Sequence, residues 1–536
     1  MADASYDAVI IGAGHNGLTL AAYLARSGLS VGVFERRHED GGGANTEEAT
    51  VPGFWHNLHA QYMEFIDYMP IYEDFELEKL GAQMIKPDAQ LGITFADGRP
   101  PLVIYLPEHM DKTWKSIAQF SRHDADTWRE LKSKIVANDR LIASFIYTPM
   151  PDGDGQDGDG AAERGEVDFI WAMLGLPATY TYKSPKVIID ELFESDELRT
   201  LLYRQCIEWG ANLHSGVGLG FVFSVLWLSG IHYLSVGGTH TLFHAMAQAA
   251  LRGGATLRFN NRVEKILLRD GRAVGVRLKD GTEVEARKLV ASNADPRQTF
   301  VDLVGVENLS QFRKERLAHW HFGPEGVLGT PSFALHEAPD YKSARWDPTI
   351  NKTFYTVVGF ETSEQMSNYI LQAYGGTIPE RPGAGTWVNS LWDPTQAPPG
   401  KHVMNGWFFF PNASALTPEE WDEVRATYND RFLELWGQYA PNMTRKNVIA
   451  HKLYGPYDIE RKMAMPEGDF FHGHPGGLNT LGGRSYQHRT EFEGLYMCGA
   501  SSGAGGISAA PGYNAFKIIC EDLNLPKIWQ KPGRLY

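Results

Sequence analysis

Residues 7–35 read DAVIIGAGHNGLTLAAYLARSGLSVGVFE, and the order of patterns in this stretch decides the fold. Asp7–Ile11 is a short apolar run that stops at Gly12, which predicts a buried parallel strand. Asn16–Arg26 carries Leu20, Ala21, Leu24 and Ala25 on one helical face, and Gly28 is placed to end that helix. Ser30–Glu35 predicts a second strand. Strand, helix and strand within about 30 residues make one βαβ unit.

Between the first strand and its helix stands Gly12-x-Gly14-x-x-Gly17. Gly12 permits the tight turn, Gly14 lets the backbone approach a pyrophosphate, and Gly17 lets helix and strand pack closely. The helix N-terminus around His15 and Asn16 offers free N–H groups and a positive dipole end to phosphates. Glu35 ends the second strand 23 residues after Gly12. An acid there accepts hydrogen bonds from ribose hydroxyls and repels a 2′-phosphate. The stretch therefore predicts a Rossmann-type dinucleotide-binding domain.

A charged run then leads into a glycine cluster, Glu35-Arg36-Arg37-His38-Glu39-Asp40-Gly41-Gly42-Gly43-Ala44. On these residues the chain resembles the large FAD family that includes amine oxidases and phytoene desaturases. Members carry Glu, an Arg two residues on, and Gly-Gly at six and seven residues on, and Arg37, Gly41 and Gly42 match. Gly43 stands where many members have an arginine. Two further segments resemble the family in order. Residues 237–281, GGTHTLFHAMAQAALRGGATLRFNNRVEKILLRDGRAVGVRLKDG, look like its middle FAD segment, in which the valine matching Val263 pairs its backbone with adenine. LVASNADP, with Asn293, is similar as well. GLYMCGASSGAGGISAAPGYNAF (494–516) is similar to its closing motif. There the resemblance implies that N–H groups around Gly506 and Ile507, and the N-terminus of the last helix, face the flavin pyrimidine edge, where a helix dipole stabilises the charge of reduced flavin. Thr46–Glu48 followed by VPGFWHNLHA suits the phytoene-desaturase and retinol-saturase-like group. Amine oxidases more often carry an acid where Ala500-Ser501 stands. The cofactor-binding set so implied, for FAD, is Gly12, Gly14, His15, Asn16, Gly17, Glu35, Arg36, Arg37, Gly42, Gly43, Ala44, Val263, Asn293, Gly499, Ala500, Gly506, Ile507 and Asn514.

Outside the motifs, Thr241–Leu251 reads as a helix ended by Gly253-Gly254. Thr256–Phe259, Val263–Arg269, Arg272–Leu278, Thr282–Ala286 and Lys288–Ala291 read as strands, with Asp270-Gly271 and Asp280-Gly281 as hairpin turns. Leu495–Cys498 reads as a strand and Asn514–Leu523 as a helix. Residues 86–230 and 301–450 are rich in Trp, Tyr, Phe and Pro with few clean periods. The expected fold class is α/β: a discontinuous Rossmann-type FAD-binding domain (1–85, 231–300 and 451–536) with a second, mixed α+β substrate domain (86–230 and 301–450) inserted. Acidic, glycine-rich Pro151–Gly165 reads as a surface loop.

At 536 residues the chain is too long for one ordinary core. Its formal net charge of −15 argues against nucleic-acid binding. Cys206, Cys498 and Cys520 show no paired spacing, which fits a reducing cytosol and argues against a disulfide framework. Val217–Leu234 is nearly long enough to span a bilayer but holds three glycines, two serines and a histidine. It reads as a buried helix or tunnel wall, with a peripheral membrane contact as the lesser alternative.

Removing hydrogens across a C–C bond needs a hydride acceptor and, unless a carbocation forms, a base. Candidates lie just after the motifs or between them: His56, His59, Gln61, Tyr62, His232, Tyr233, His472, His474 and Tyr513. Of these His59, Tyr62, His474 and Tyr513 are expected to line the cavity. His472 and His474 alternate in a loop with no acid or cysteine ligand set around them, so no metal is expected. Segments 221–228 and 406–416 suit a channel for an apolar substrate. The resemblance implies desaturation of a hydrophobic, alicyclic or isoprenoid substrate, with oxygen or a quinone as electron acceptor. The alternatives are a flavin amine oxidase, a saturase or isomerase using reduced FAD, and a scaffold protein that binds FAD without turnover.

Overall fold

The computed structural model of the chain describes residues 4–149, 172–215, 219–474, 487–503 and 508–536. The loop expected at 151–165 lies outside them. The chain forms the expected α/β architecture around two seven-stranded sheets.

In the first sheet, Ala4–Ile11 runs parallel to Val31–Phe34 on one side and to Glu283–Ser292 on the other. Thr256–Arg258 extends the sheet beyond Val31–Phe34. The helix His15–Arg26 ends at Ser27, and Gly28 follows in the left-handed region at φ +90°. Two strands expected at 282–286 and 288–291 are one, Glu283–Ser292. The interruption is a bulge: Tyr6 pairs with Ala286 but Ala8 with Leu289, so Arg287 and Lys288 together oppose Asp7. Arg287 projects to Asp7, Ser5 and Ser30 instead of ending the strand. Before the bulge this strand pairs antiparallel with Arg272–Leu278, and after it parallel with Leu495–Met497.

The last helix begins at Ala510, four residues before the expected Asn514, because Ala509 takes φ +60° and Pro511 suits a first helical turn. Gly512 carries this helix onto the first one: a Cβ there would stand 2.2 Å from the Asn16 carbonyl oxygen.

The second sheet runs in the order Val448–Tyr454, Leu328–Leu335, His402–Phe409, Ala384–Trp387, Tyr355–Val358, Ala89–Ile93 and Leu102–Tyr105. Val448–Tyr454 crosses the expected boundary at 450. Leu328–Leu335 is buried along its whole length, which explains why this region shows no clean alternation in sequence. Along His402–Phe409, Trp407 and Phe409 face the larger core, while Met404 and Phe408 pack against the helix Pro418–Tyr439. That helix opens with a capping box between Thr417 and Glu420.

Within 217–234 the apolar helix is Leu219–Leu228, packed among the helices Arg122–Val136, Pro185–Leu192 and Asp196–Glu208. Its C-terminal carbonyls are satisfied by a buried amine: Lys132 Nζ donates to Leu226 and Trp227 at 2.8 Å and to Ser229 at 2.6 Å. Among the described residues no helix is long and apolar enough to cross a membrane.

Candidate active site

One cavity of about 520 Å³ reaches from the first sheet to the second. Its lining falls into two sets of residues, called the first and second arms. Ile11, Gly12, Gly14, His15, Asn16, Glu35, Arg36, Arg37, Gly42, Gly43, Ala44, Val263 and Asn293 line the first. His59, Gln61, Tyr62, Glu64, Phe65, Glu208, Trp209, Trp227, Leu228, Trp407, Phe470, Phe471 and His472 line the second.

The first arm fits a dinucleotide. The helix His15–Arg26 has Gly14 as N-cap, no capping side chain and no acid in its first turn, so its N-terminal dipole faces the cavity uncompensated. A Cβ on Gly14 would stand 2.7 Å from Asn293 Nδ2, and one on Gly17 2.3 Å from the Gly12 carbonyl oxygen. Gly17 thus acts by letting helix meet strand. Glu35 accepts hydrogen bonds from the Ala13 and Arg37 amides, both at 2.8 Å. Each oxygen keeps a lone pair for a ribose hydroxyl. Arg37 pairs with Glu39 and donates to the Gly42 carbonyl at 3.2 Å, so it braces the glycine turn. Asp40 is the anchor behind that turn, accepting from His240 Nε2 at 2.7 Å. Arg262, Gln298 and Asp302 also line this arm and carry no motif of their own in the sequence.

The second arm is aromatic with a few buried polar groups. Tyr62 stacks against Trp387 at 5.5 Å between centroids and meets His232 at 4.3 Å. Trp407 Nε1 donates to the His59 carbonyl at 2.7 Å, which fixes the turn that presents His59. Burial lowers His59 and His472 to about 4, so both rings are neutral at pH 7. His472 sits at φ +57° in a turn held by Asp469, which accepts the Phe471 and Gly473 amides. Burial pushes Glu64 up to about 8, opposed by the hydrogen bond from Tyr62 and reinforced by Glu208.

The candidates separate cleanly. His59 and Tyr62 line the cavity, and so does His472. His474 does not: its ring stacks on His321 at 5.2 Å and its Nε2 lies 3.4 Å from Glu325. Burial acts to raise the Glu325 carboxyl, but His474, its own backbone amide and Asn212 together hold it below its ordinary range. Tyr513 also lies outside the lining, packed against Tyr23 and Tyr147 in the core. Both were expected at the cavity and lie outside its lining, for different reasons: His474 turns to His321 and Glu325 two residues beyond the cavity residue His472, whereas Tyr513 sits on the buried face of the last helix. His56 is a buried structural group, bonded to Asn405 and Thr50.

Of the closing motif, Ala500 lines the cavity, while Gly499 packs against the Asn293 backbone. Asn514 donates to the Ile146 carbonyl at 2.9 Å and so steadies a cavity wall from behind instead of meeting the cavity. Gly506 and Ile507 lie outside the described residues. Glu64, Glu208 and Trp209 belong to no motif of the sequence. The alternation of carboxyl and aromatic groups in Tyr62-Met63-Glu64-Phe65, soon after the first motif, is the signal that could have found Glu64.

Residues 10–75 match the family model of the NAD(P)-binding Rossmann-like domain. Over nearly its full length the chain is 31% identical to a subunit of limonene dehydrogenase from Castellaniella defragrans, covering 99% of this chain and 97% of that one. It is 24% identical to a neurosporene-forming phytoene desaturase of Rhodobacter capsulatus, covering 93% and 90%. Among solved structures, a double mutant of putrescine oxidase shares the fold at TM-score 0.60 and 15% identity, covering 97% of this chain and 99% of that one.

Proposed function

The chain belongs to the phytoene desaturase-like family of the amine oxidase superfamily, and from that premise we propose that it is an FAD-dependent dehydrogenase that desaturates a C–C bond of a hydrophobic, alicyclic or isoprenoid substrate. The observation that carries this reading is that the residues of the dinucleotide-binding turn and a set of aromatic side chains line one and the same cavity. Bound there, FAD would supply the two-electron acceptor, taking a hydride at N5. The chain's own residues do the rest. The Gly12–Gly17 turn and the uncapped helix hold a pyrophosphate, Glu35 a ribose, and Tyr62, Phe65, Trp209, Trp227 and Trp407 exclude water and orient an apolar molecule. The relative named for limonene, a cyclic isoprenoid hydrocarbon, supports that substrate class. The electron acceptor is oxygen or a quinone. A quinone would bring the protein to a membrane surface as a peripheral partner.

A flavin amine oxidase is the second reading, favoured by one observation: carboxyl groups of Glu64 and Glu208 stand among aromatic rings, a setting that also suits an ammonium group.

The test is an absorbance spectrum of the purified protein, anaerobic reduction with limonene, with cyclic ketones and with amines, and re-exposure to air. Flavin bands bleached by the first two classes support the desaturase, and bleaching by amines alone supports the oxidase. Rapid return of the bands in air marks oxygen as acceptor, and return only on adding a quinone marks the quinone. A protein that takes up no flavin on incubation with FAD sinks both readings.

A further inference from the structure

The two carboxyl groups of the aromatic arm differ in their partners. Glu208 is answered by a cation: Arg204 Nε donates to it at 2.7 Å, Gln205 Nε2 at 2.9 Å, and the Tyr355 hydroxyl binds the same carboxylate. Arg204 is itself fully buried, so the charge of Glu208 is answered from behind the cavity wall that its carboxyl lines. Glu64 is as deeply buried, at 6% exposure, and also lines the cavity. Among the described residues it is paired with no basic side chain. The nearby Tyr62 favours its charged form, and the like charge of Glu208 disfavours it. The other titratable groups about it are His59 on the same wall and His232, which packs on the outer face of Tyr62.

We infer that Glu64 accepts the proton that leaves the substrate during desaturation in this arm, with Tyr62 beside it on the cavity wall and the Arg204–Glu208 pair setting the local charge. The inference rests on the desaturase reading above and names the base that this reading leaves open. One substrate C–H bond would give up its hydrogen with both electrons to a bound, oxidised flavin. The adjacent C–H bond gives its proton to the Glu64 carboxylate, and its electron pair becomes the second bond of the C=C. Glu64 then returns that proton to solvent. No further oxidant is needed within the step.

The neutral histidines of the arm suit this task less. Held near 4, His59 and His472 are weaker bases than an ordinary imidazole, whereas Glu64, raised to about 8, is a stronger base than an ordinary carboxylate. Below pH 8 most Glu64 carries a proton and cannot accept another, so the rate of flavin reduction rises with pH and levels off above about 8.

The experiment compares wild type, Glu64→Gln and Glu64→Asp as FAD-loaded holoenzymes, with limonene as reductant under anaerobic conditions. Glu64→Gln should slow bleaching at least about 100-fold at every pH and abolish the rising limb, with flavin content unchanged. Glu64→Asp should keep a limb and lose less. A Glu64→Gln enzyme within about threefold of wild type overturns the proposal. So does a variant that raises only KM and leaves the limb in place, the pattern of a counter-ion to a cationic substrate. A second readout needs no substrate: in the infrared, a protonated-carboxyl band should vanish as pH rises through about 8 in wild type and be missing in Glu64→Gln. A Glu64 that titrates instead in the ordinary carboxylate range overturns the proposal. If no C–H donor bleaches even the wild type, the desaturase reading fails, and the infrared titration alone then decides whether Glu64 holds a proton there.

Discussion

Around the phosphate-binding turn the cavity wall is backbone, whereas around Glu64 it is side chains. In the first arm Gly12, Gly14, Gly42 and Gly43 leave room for main-chain N–H groups, and Glu35 spends both oxygens on amides 22 and two residues away in sequence. In the second arm Tyr62, Trp209, Trp227, Trp407 and Phe471 arrive from five separate segments and present side chains to one cavity. A backbone site tolerates almost no change at a few positions. A side-chain site spreads its contribution, so single changes there should alter substrate preference more than cofactor retention.

The largest effect that tests this contrast is at Gly14. A side chain there would collide with Asn293 Nδ2, 2.7 Å from the ideal Cβ position, and fill the space a pyrophosphate needs. Gly14→Val should weaken FAD binding at least about 100-fold, roughly 3 kcal/mol, with helical content retained. Flavin content after gel filtration and circular dichroism check it. A variant that purifies with stoichiometric flavin would break the assignment of the first arm.

A smaller and opposite effect is expected at Trp209, which lines the second arm 6.1 Å from Phe65 and is only partly buried. Trp209→Ala removes apolar wall without touching the first arm. KM for an apolar substrate should rise about tenfold, near 1.4 kcal/mol, with flavin content unchanged. Loss of flavin in this variant would show that the arms are energetically one site.

The contrast also explains what could be read in advance. The βαβ unit, the helix His15–Arg26 and the strands Val263–Arg269 and Arg272–Leu278 were legible because glycine spacing and apolar runs are local signals. The bulge at Arg287–Lys288 was not, because two adjacent cations look like a strand break until Asp7 is seen opposite them. The strands of the second sheet hid for a different reason: covered on both faces, Leu328–Leu335 and Tyr355–Val358 have no polar side to reveal a period of two. Glu64 was passed over because a glutamate in a loop is ordinarily solvated, and its aromatic neighbours Tyr62 and Phe65 were the one local hint that this one is buried.

The smallest effect is the sharpest check on how far sequence neighbourhood misleads. Tyr513 stands in the closing motif and was expected at the cavity, yet its ring fills core space between Tyr23, Tyr147 and the Lys517 ammonium, 4.6 Å above it. Burial pushes its hydroxyl well above the ordinary tyrosine range, so it carries no charge to offer a reaction at neutral pH. Tyr513→Phe keeps the ring and its packing. It should leave kcat and KM within about twofold and change stability by less than about 1 kcal/mol, measured by steady-state kinetics and denaturant unfolding. A fall in kcat of about tenfold or more with unchanged stability would return Tyr513 to the reacting site, and would mean that the last helix shifts toward the cavity when the cofactor is bound.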